Sequence, residues 1–181
     1  MDVEQGGFYG QIDGADRIIG GAGKGGILNA RILWTFSAAY RVQPDSAYLH
    51  MAERAYGYAL KYFFDEEMGG TYWLVNADGS PADTKKQIYS QAFFIYALTE
   101  YHMASGNEEA LAKAKELFHL IEQHSRDARL GGYFEAYSRD WQLLDDLRLS
   151  EKDENEKKTM NTHLHILEAY TNLYRVWKDP H

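Results

Sequence analysis

An α/α toroid, all-α apart from short β-hairpins, is what this sequence predicts, and three observations carry the prediction. The first is a motif written three times. Asp2-Val3-Glu4-Gln5-Gly6-Gly7-Phe8-Tyr9 returns as Asp65-Glu66-Glu67-Met68-Gly69-Gly70-Thr71-Tyr72 and again as Asp127-Ala128-Arg129-Leu130-Gly131-Gly132-Tyr133-Phe134, with the Gly-Gly pairs 63 and then 62 residues apart. A fixed period means one structural unit used repeatedly, and each unit is long enough for two helices and a hairpin. The second observation is that two helix types alternate. Segments 27–42, 86–104 and 158–177 are apolar nearly all round, as buried helices are, whereas 45–64 and 108–125 carry Glu, Lys and Arg on one face and suit an outer layer. The third is that stacked repeats bury one another's apolar faces, so an inner layer of helices wrapped by an outer one follows. Three units give an open arc, not a closed ring.

The elements follow in order from their punctuation. Residues 1–26 are Gly-rich, hold the first Gly-Gly hairpin and carry Asp13-Gly14 as a turn signal. Ile27 to Val42 reads as a buried helix stopped near Pro44. Asp45 or Ser46 caps the next, which runs to about Phe64. Gly70 to Val75 is a strand and Asn76 to Gly79 a turn. Lys86 to Ala104 is a helix ended by Gly106, and Asn107 caps another through about His124. Gly132 to Tyr137 is a strand, and Trp141 to Leu149 a short helical turn. Lys158 to Trp177 is the last long helix, followed by Pro180.

At 181 residues the chain is read as one domain, and with 45% apolar and 14% aromatic residues it can fill a large core. The net charge of −8, with Lys and Arg scattered, argues against a nucleic-acid partner, because a phosphate backbone demands a clustered basic face. The run from Glu151 to Lys158 carries both signs and reads as a solvated loop. The absence of cysteine rules out disulfides and thiolate metal sites and suits the cytoplasm. No apolar signal segment opens the sequence, and no stretch approaches the roughly 18 apolar residues of a membrane span.

Polar groups on the inner helices mark the candidate site. The hairpins gather at one end of the arc, beside the N-termini of the inner helices, whose free N–H groups favour anionic oxygens. In the last helix Asn161, His165, Glu168 and Asn172 follow spacings of 4, 3 and 4, which place them on one stripe. Such a stripe is met either by a hydrogen-bonded network or by a ligand. His163 reads as a satisfied core histidine. His165 and Glu168 have no evident third ligand, so no metal site is expected. Arg31 stands among Leu28, Ala30, Ile32, Leu33 and Trp34. A guanidinium there needs either a carboxylate partner or a role as an oxyanion donor facing a cavity. Tyr89, Phe93 and Tyr96 form an aromatic stripe that reads as core, with Tyr89 at the helix start able to stack on or hydrogen-bond a sugar. Trp34 and Trp73 allow the same two readings.

Three stretches resemble a known family: Lys24-Gly25-Gly26-Ile27-Leu28-Asn29-Ala30-Arg31-Ile32-Leu33-Trp34-Thr35-Phe36-Ser37, Gln87-Ile88-Tyr89-Ser90-Gln91-Ala92-Phe93, and Met160-Asn161-Thr162-His163-Leu164-His165-Ile166-Leu167-Glu168-Ala169. They are similar to the cellobiose 2-epimerases of the N-acylglucosamine 2-epimerase superfamily, and the likeness covers essentially the whole chain. The resemblance implies an (α/α)6 barrel, of which residues 1–181 supply about three of six repeats. It implies interconversion of glucose and mannose configurations at C2 of a reducing-end sugar. The ring opens, one histidine removes the C2 proton to give a cis-enediolate, and a second returns it on the other face. No cofactor or metal is implied, and the partner is a reducing disaccharide or monosaccharide.

By the same resemblance Arg31 stabilises the enediolate oxygens, Tyr89 and Asn161 contact substrate, and His165 acts near O1 and O5 in ring opening. The family's two proton-transferring histidines belong to the second half of its barrel and its first outer helix precedes the first Gly-Gly hairpin. Neither has a counterpart in these 181 residues, and His181 matches neither histidine motif. The expectation is substrate binding without independent catalysis, with self-association or the second half closing the ring. Two other classes stay open: a non-catalytic carbohydrate-binding or self-assembling half-barrel, and a different sugar enzyme of related architecture, such as an N-acylglucosamine 2-epimerase, a mannose isomerase or an unsaturated glucuronyl hydrolase relative. A hydrolase needs an acid pair flanking the bond, and the inner helices offer only Glu168 and Glu100.

Overall fold

A computed structural model describes residues 1–178. The stop expected at Pro180, and His181, lie outside the described residues. The chain runs β1 (Lys24–Gly25), α1 (Gly26–Val42), α2 (Ser46–Tyr62), β2 (Leu74–Val75), β3 (Pro81–Asp83), β4 (Lys86–Gln87), α3 (Ile88–Ser105), α4 (Glu108–His124), β5 (Ala136–Tyr137) and α5 (Met160–Val176). α1, α3 and α5 form the inner layer, with α3 packed between the other two, while α2 and α4 back it from outside. The mostly helical arc with small antiparallel sheets is the architecture that the three-fold motif predicts.

Local chemistry sets the helix ends. The Asp45 carboxylate accepts from the Ala47 N–H at 2.9 Å and opens α2, and the Asn107 side chain accepts from Ala110 at 2.9 Å and opens α4. Thr159 does the same for α5 through Thr162. Gly106, at φ 74°, closes α3 in the left-handed region.

α3 is buried on nearly every side, its Phe94 ring set against Phe63 at 5.7 Å and Phe64 at 6.1 Å. α2 and α4 bury one face each, through Ala52, Ala55 and Ala59 and through Ala114, Leu117 and Ile121. α1 and α5 depart from the expectation of buried inner helices. α1 buries only Gly26, Asn29, Ala30, Leu33 and Ser37, leaving Arg31 and Thr35 exposed. α5 exposes Met160, Leu164, Leu167 and Tyr174 along one stripe. The reason is position: these two helices end the arc, and each has a neighbour in the inner layer on one side only.

The strands are shorter than expected. Gly70–Val75 contributes only β2, and Gly132–Tyr137 only β5, because Thr71 and Tyr133 instead bridge back to Phe64 and Arg126. β1 pairs antiparallel with β2, and β4 with β5, so the strand leading into each of these inner helices is fastened to the hairpin of the next repeat. The helical turn expected at Trp141–Leu149 is absent. Trp141 takes a φ of 63°, donates its indole N–H to Met68 O at 2.8 Å and stacks on His124 at 4.5 Å. That docking draws the segment across the second hairpin as an extended loop.

A charged strut recurs in every repeat. The aspartate opening each motif pairs with a lysine two residues ahead of an inner helix: Asp2 with Lys24 at 2.8 Å, Asp65 with Lys86 at 2.9 Å, Asp127 with Lys158 at 2.5 Å. The same carboxylates accept backbone N–H groups two and three residues on, which folds the hairpin tip around them. The motif's second glycine is needed for close approach. A Cβ on Gly70 would lie 2.8 Å from the Trp141 ring, and one on Gly132 only 2.6 Å from His163 Nε2, both at positive φ.

Candidate functional site

The struts hold the inner helices in one register, and that register builds the site. Arg31, Phe93 and His165 each stand seven residues after their strut lysine and are the sixth residue of α1, α3 and α5. Trp34, Tyr96 and Glu168 are the ninth. These six residues, with Thr35, line one cavity of about 370 Å³ on the inner face of the arc. A cavity of that size suits a small ligand.

Phe93 is its centre. The Arg31 guanidinium lies over the Phe93 ring at 4.6 Å, and the His165 ring packs on it at 4.6 Å. Of the two roles open to Arg31, it stands at the cavity and not on a carboxylate among the described residues. The side chain is exposed to the cavity and makes no ion pair with any described residue. An arginine stacked on an aromatic face keeps its forked N–H donors free for a ligand. Trp34 stacks on Tyr96 at 5.4 Å, and its indole N–H is sealed without a hydrogen-bond partner among the described residues. Burial above all raises the Tyr96 hydroxyl, with Glu168 and Glu100 adding to it, so this group stays protonated and can donate.

The four residues of the polar stripe separate. His165 Nδ1 lies 2.6 Å from Glu168 Oε2, at the cavity wall. Asn172 belongs to a structural network: buried, it donates to Tyr96 O and to Glu100 Oε2, both at 3.3 Å, and Glu100 also holds Arg41. Asn161 is exposed one turn before His165 and lines a separate pocket of about 210 Å³ with Glu135 and Thr159. The structure thus brings Arg31 and His165 together and leaves Asn161 nearer the hairpins. Tyr89 is buried behind the cavity, its ring edge-on to His165 at 4.7 Å and tilted against Phe93 at 5.0 Å.

His163 is the satisfied core histidine. Nδ1 meets Thr159 O at 2.7 Å and Nε2 accepts from the Tyr133 N–H at 2.9 Å. Gln91 fills the equivalent place in the second repeat, bonding Thr71 N and O at 2.8 and 2.9 Å. No group of three or more His, Cys, Asp or Glu able to hold a metal occurs among the described residues.

This arc, with its cavity walled by the second and third turns of the inner helices, places the chain among the α/α-toroid proteins. More narrowly, it belongs to the N-acylglucosamine 2-epimerase (GlcNAc 2-epimerase) family, whose model matches residues 7–181. It is 58% identical to a cellobiose 2-epimerase of Bacteroides fragilis, over 99% of this chain and 46% of that one. A cellobiose 2-epimerase of Ruminococcus albus is 45% identical over 96% of this chain and 44% of its own length. The solved structure of the cellobiose 2-epimerase from Bacillus thermoamylovorans B4167 superposes with a TM-score of 0.95 at 48% identity, covering 99% of this chain and 46% of that one. The chain therefore spans about half the length of the relatives it matches.

Proposed function

We propose that these residues form part of the site of a carbohydrate 2-epimerase, which interconverts glucose and mannose configurations at C2 of the reducing-end residue of a cellobiose-type disaccharide. One observation carries this reading: Arg31 and His165 face one aromatic-floored cavity, with the guanidinium free of any carboxylate among the described residues. In the proposal Arg31 stabilises the oxygens of a cis-enediolate, His165 acts at O1 and O5 to open the ring, and Phe93 packs beneath the sugar. Tyr89 steadies His165, and Asn161 contacts substrate from the hairpin side. The reaction needs no cofactor or metal. The groups that move the C2 proton belong to further repeats of the kind that complete the longer relatives. The cytoplasm suits such an activity, and no helix among the described residues is long and apolar enough to cross a membrane.

A glycosidase reading is disfavoured by the fate of its two carboxylates. Glu100 is buried on Arg41 and Asn172, and Glu168 is engaged by His165. Neither leaves a free acid pair across the cavity.

The test is a chimera in which residues 1–181 replace the matching part of the Bacteroides fragilis relative. Epimerisation of cellobiose by the chimera, with exchange of the C2 proton for deuterium, is the expected result, and a folded but inert chimera overturns the reading. The 181-residue chain alone should show no exchange.

The exposed stripe of Met160, Leu164, Leu167 and Tyr174 on α5 motivates a second expectation. Contiguous apolar surface of this kind marks an interface, and we assign it to the further repeats or, without them, to a second copy of the chain. Light scattering on the isolated chain should give a mass above the 20.8 kDa of one copy. A monomer persisting over a wide concentration range defeats this assignment.

A further inference from the structure

We propose that Glu168 is a positioning residue for His165: it fixes the imidazole in the tautomer with hydrogen on Nδ1 and leaves Nε2 as a proton acceptor facing the cavity. The inference rests on the sugar reading above for its chemistry, but not for its geometry. An ionised carboxylate only accepts hydrogen bonds. The 2.6 Å contact between Nδ1 and Glu168 Oε2 therefore requires the hydrogen to be on Nδ1. Glu168 is half exposed, with 47% of its side chain open to solvent. The pair spans i to i+3 on α5, a spacing that brings the two side chains together on one face.

The rest of the ring has been cleared of competitors. Tyr89 and Phe93 hold it by their ring faces and edges at 4.7 and 4.6 Å. His165 Nε2 makes no hydrogen bond to any described residue, and it is not among the polar atoms sealed from solvent. It is left to the cavity, where Arg31 stands across Phe93. His163, two residues earlier, is a built-in contrast. Backbone groups impose the same tautomer on it, but they occupy both nitrogens. One helix thus presents one closed histidine and one open one.

The open nitrogen has a defined task in ring opening. Nε2 takes the proton of the O1 hydroxyl, and the O–H electron pair becomes the second bond of the C1 carbonyl. The C1–O5 bond breaks with its pair moving to O5, which takes the proton back from Nε2. Atoms, charge and electrons balance, and the imidazole is restored. The Glu168 carboxylate steadies the transient imidazolium. The opposite tautomer would aim an N–H at O1 and could not start the sequence.

The first measurement needs no sugar. In long-range proton–nitrogen spectra of the labelled 181-residue chain at mildly alkaline pH, neutral His165 should show a protonated Nδ1 and a bare Nε2. Glu168→Ala should move it toward the Nε2-protonated form, while Glu168→Gln, whose amide oxygen can accept the same bond, should hold it. His163 should not change in either variant. A wild-type His165 protonated on Nε2, or a Glu168→Ala spectrum identical to wild type, overturns the proposal. In the chimera, loss of Glu168 should lower kcat by part of the roughly 10²- to 10⁴-fold that a positioned general base contributes, with KM within about twofold and partial rescue by Glu168→Gln. An unchanged kcat in Glu168→Ala beside an inactive His165→Ala chimera also overturns the proposal. The expected tautomers with full activity in a His165→Ala chimera would support the pairing and sink only the sugar reading.

Discussion

Replacing Asp65 by asparagine should destabilise the fold by about 3–5 kcal/mol, the usual cost of leaving a buried charge without its partner. The Lys86 ammonium is fully buried and meets Asp65 at 2.9 Å. Asp65 also holds Arg139, at 2.8 and 2.9 Å, from the loop that crosses the second hairpin. Removing Asp65 strands Lys86 and unfastens that loop in one step. Lys86→Met should cost less, because Arg139 still neutralises the carboxylate. The double variant Asp65→Leu/Lys86→Met should recover part of the loss, since it buries no unpaired charge. Denaturant midpoints at neutral pH measure all three. Equal effects from the two single changes, or simple additivity, would show that the strut is not coupled as described.

The same struts set the acid limit of the fold. Burial alone would raise the Asp65 carboxyl, but Arg139, Lys86 and the Met68 amide hold it well below its ordinary value of 3.8. Asp2 is likewise held down against burial, by Lys24 and the Gln5 amide, and Asp127 is lowered to about 2, chiefly by Lys158. A depressed carboxyl contributes stability that is fully present above the unfolded value and is lost as pH falls through the folded one. Because burial lowers the His124 imidazole from its ordinary 6.5, stability should begin to fall as pH drops below about 6.5, and the three carboxylates add a further fall below about pH 4. Asp65→Asn should flatten part of that fall.

Much of this was legible in the sequence because the repeat wrote it three times. The Gly-Gly motif located the hairpins, and the alternation of apolar and charged-faced segments sorted α3 from α2 and α4. The site was half legible. Arg31 and His165 stood out as charged or titratable groups on apolar helices, but the stripe logic that grouped Asn161, His165, Glu168 and Asn172 was too coarse. A 3.6-residue period reports a face of a helix, not which neighbour that face meets, and α5 meets α3 at Asn172 but the open cavity at His165. The struts carry a weaker signal, because each is a single lysine far in sequence from its aspartate. Lys24, Lys86 and Lys158 each precede an inner helix by two residues, and comparing the repeats column by column exposes them. The same alignment brings Arg31, Phe93 and His165 into one column. The Trp141 loop was not legible, because its path depends on docking to Met68 and His124, residues far away in sequence.

Arg31→Ala should lower turnover of the chimera by about 10²–10³, the typical loss when one donor to a developing oxyanion is removed. The reasoning starts from what Arg31 does not do. It makes no salt bridge within the described fold and only stacks on Phe93, so its removal should cost stability about 0.5–1 kcal/mol at most. A large kinetic loss could not then be blamed on unfolding. Charge on the sugar oxygens grows as the C2 proton leaves, so the guanidinium binds the enediolate more strongly than the neutral substrate. The effect should fall on kcat, with KM little changed. Arg31→Lys should recover only part of the rate, because an ammonium keeps the charge but loses the planar fork that can span two adjacent oxygens. Deuterium exchange at C2, followed by NMR in the same samples, places the loss at the proton-transfer step. Near-normal exchange and epimerisation in both Arg31→Ala and His165→Ala would sink the assignment of this cavity as the place where the sugar reacts.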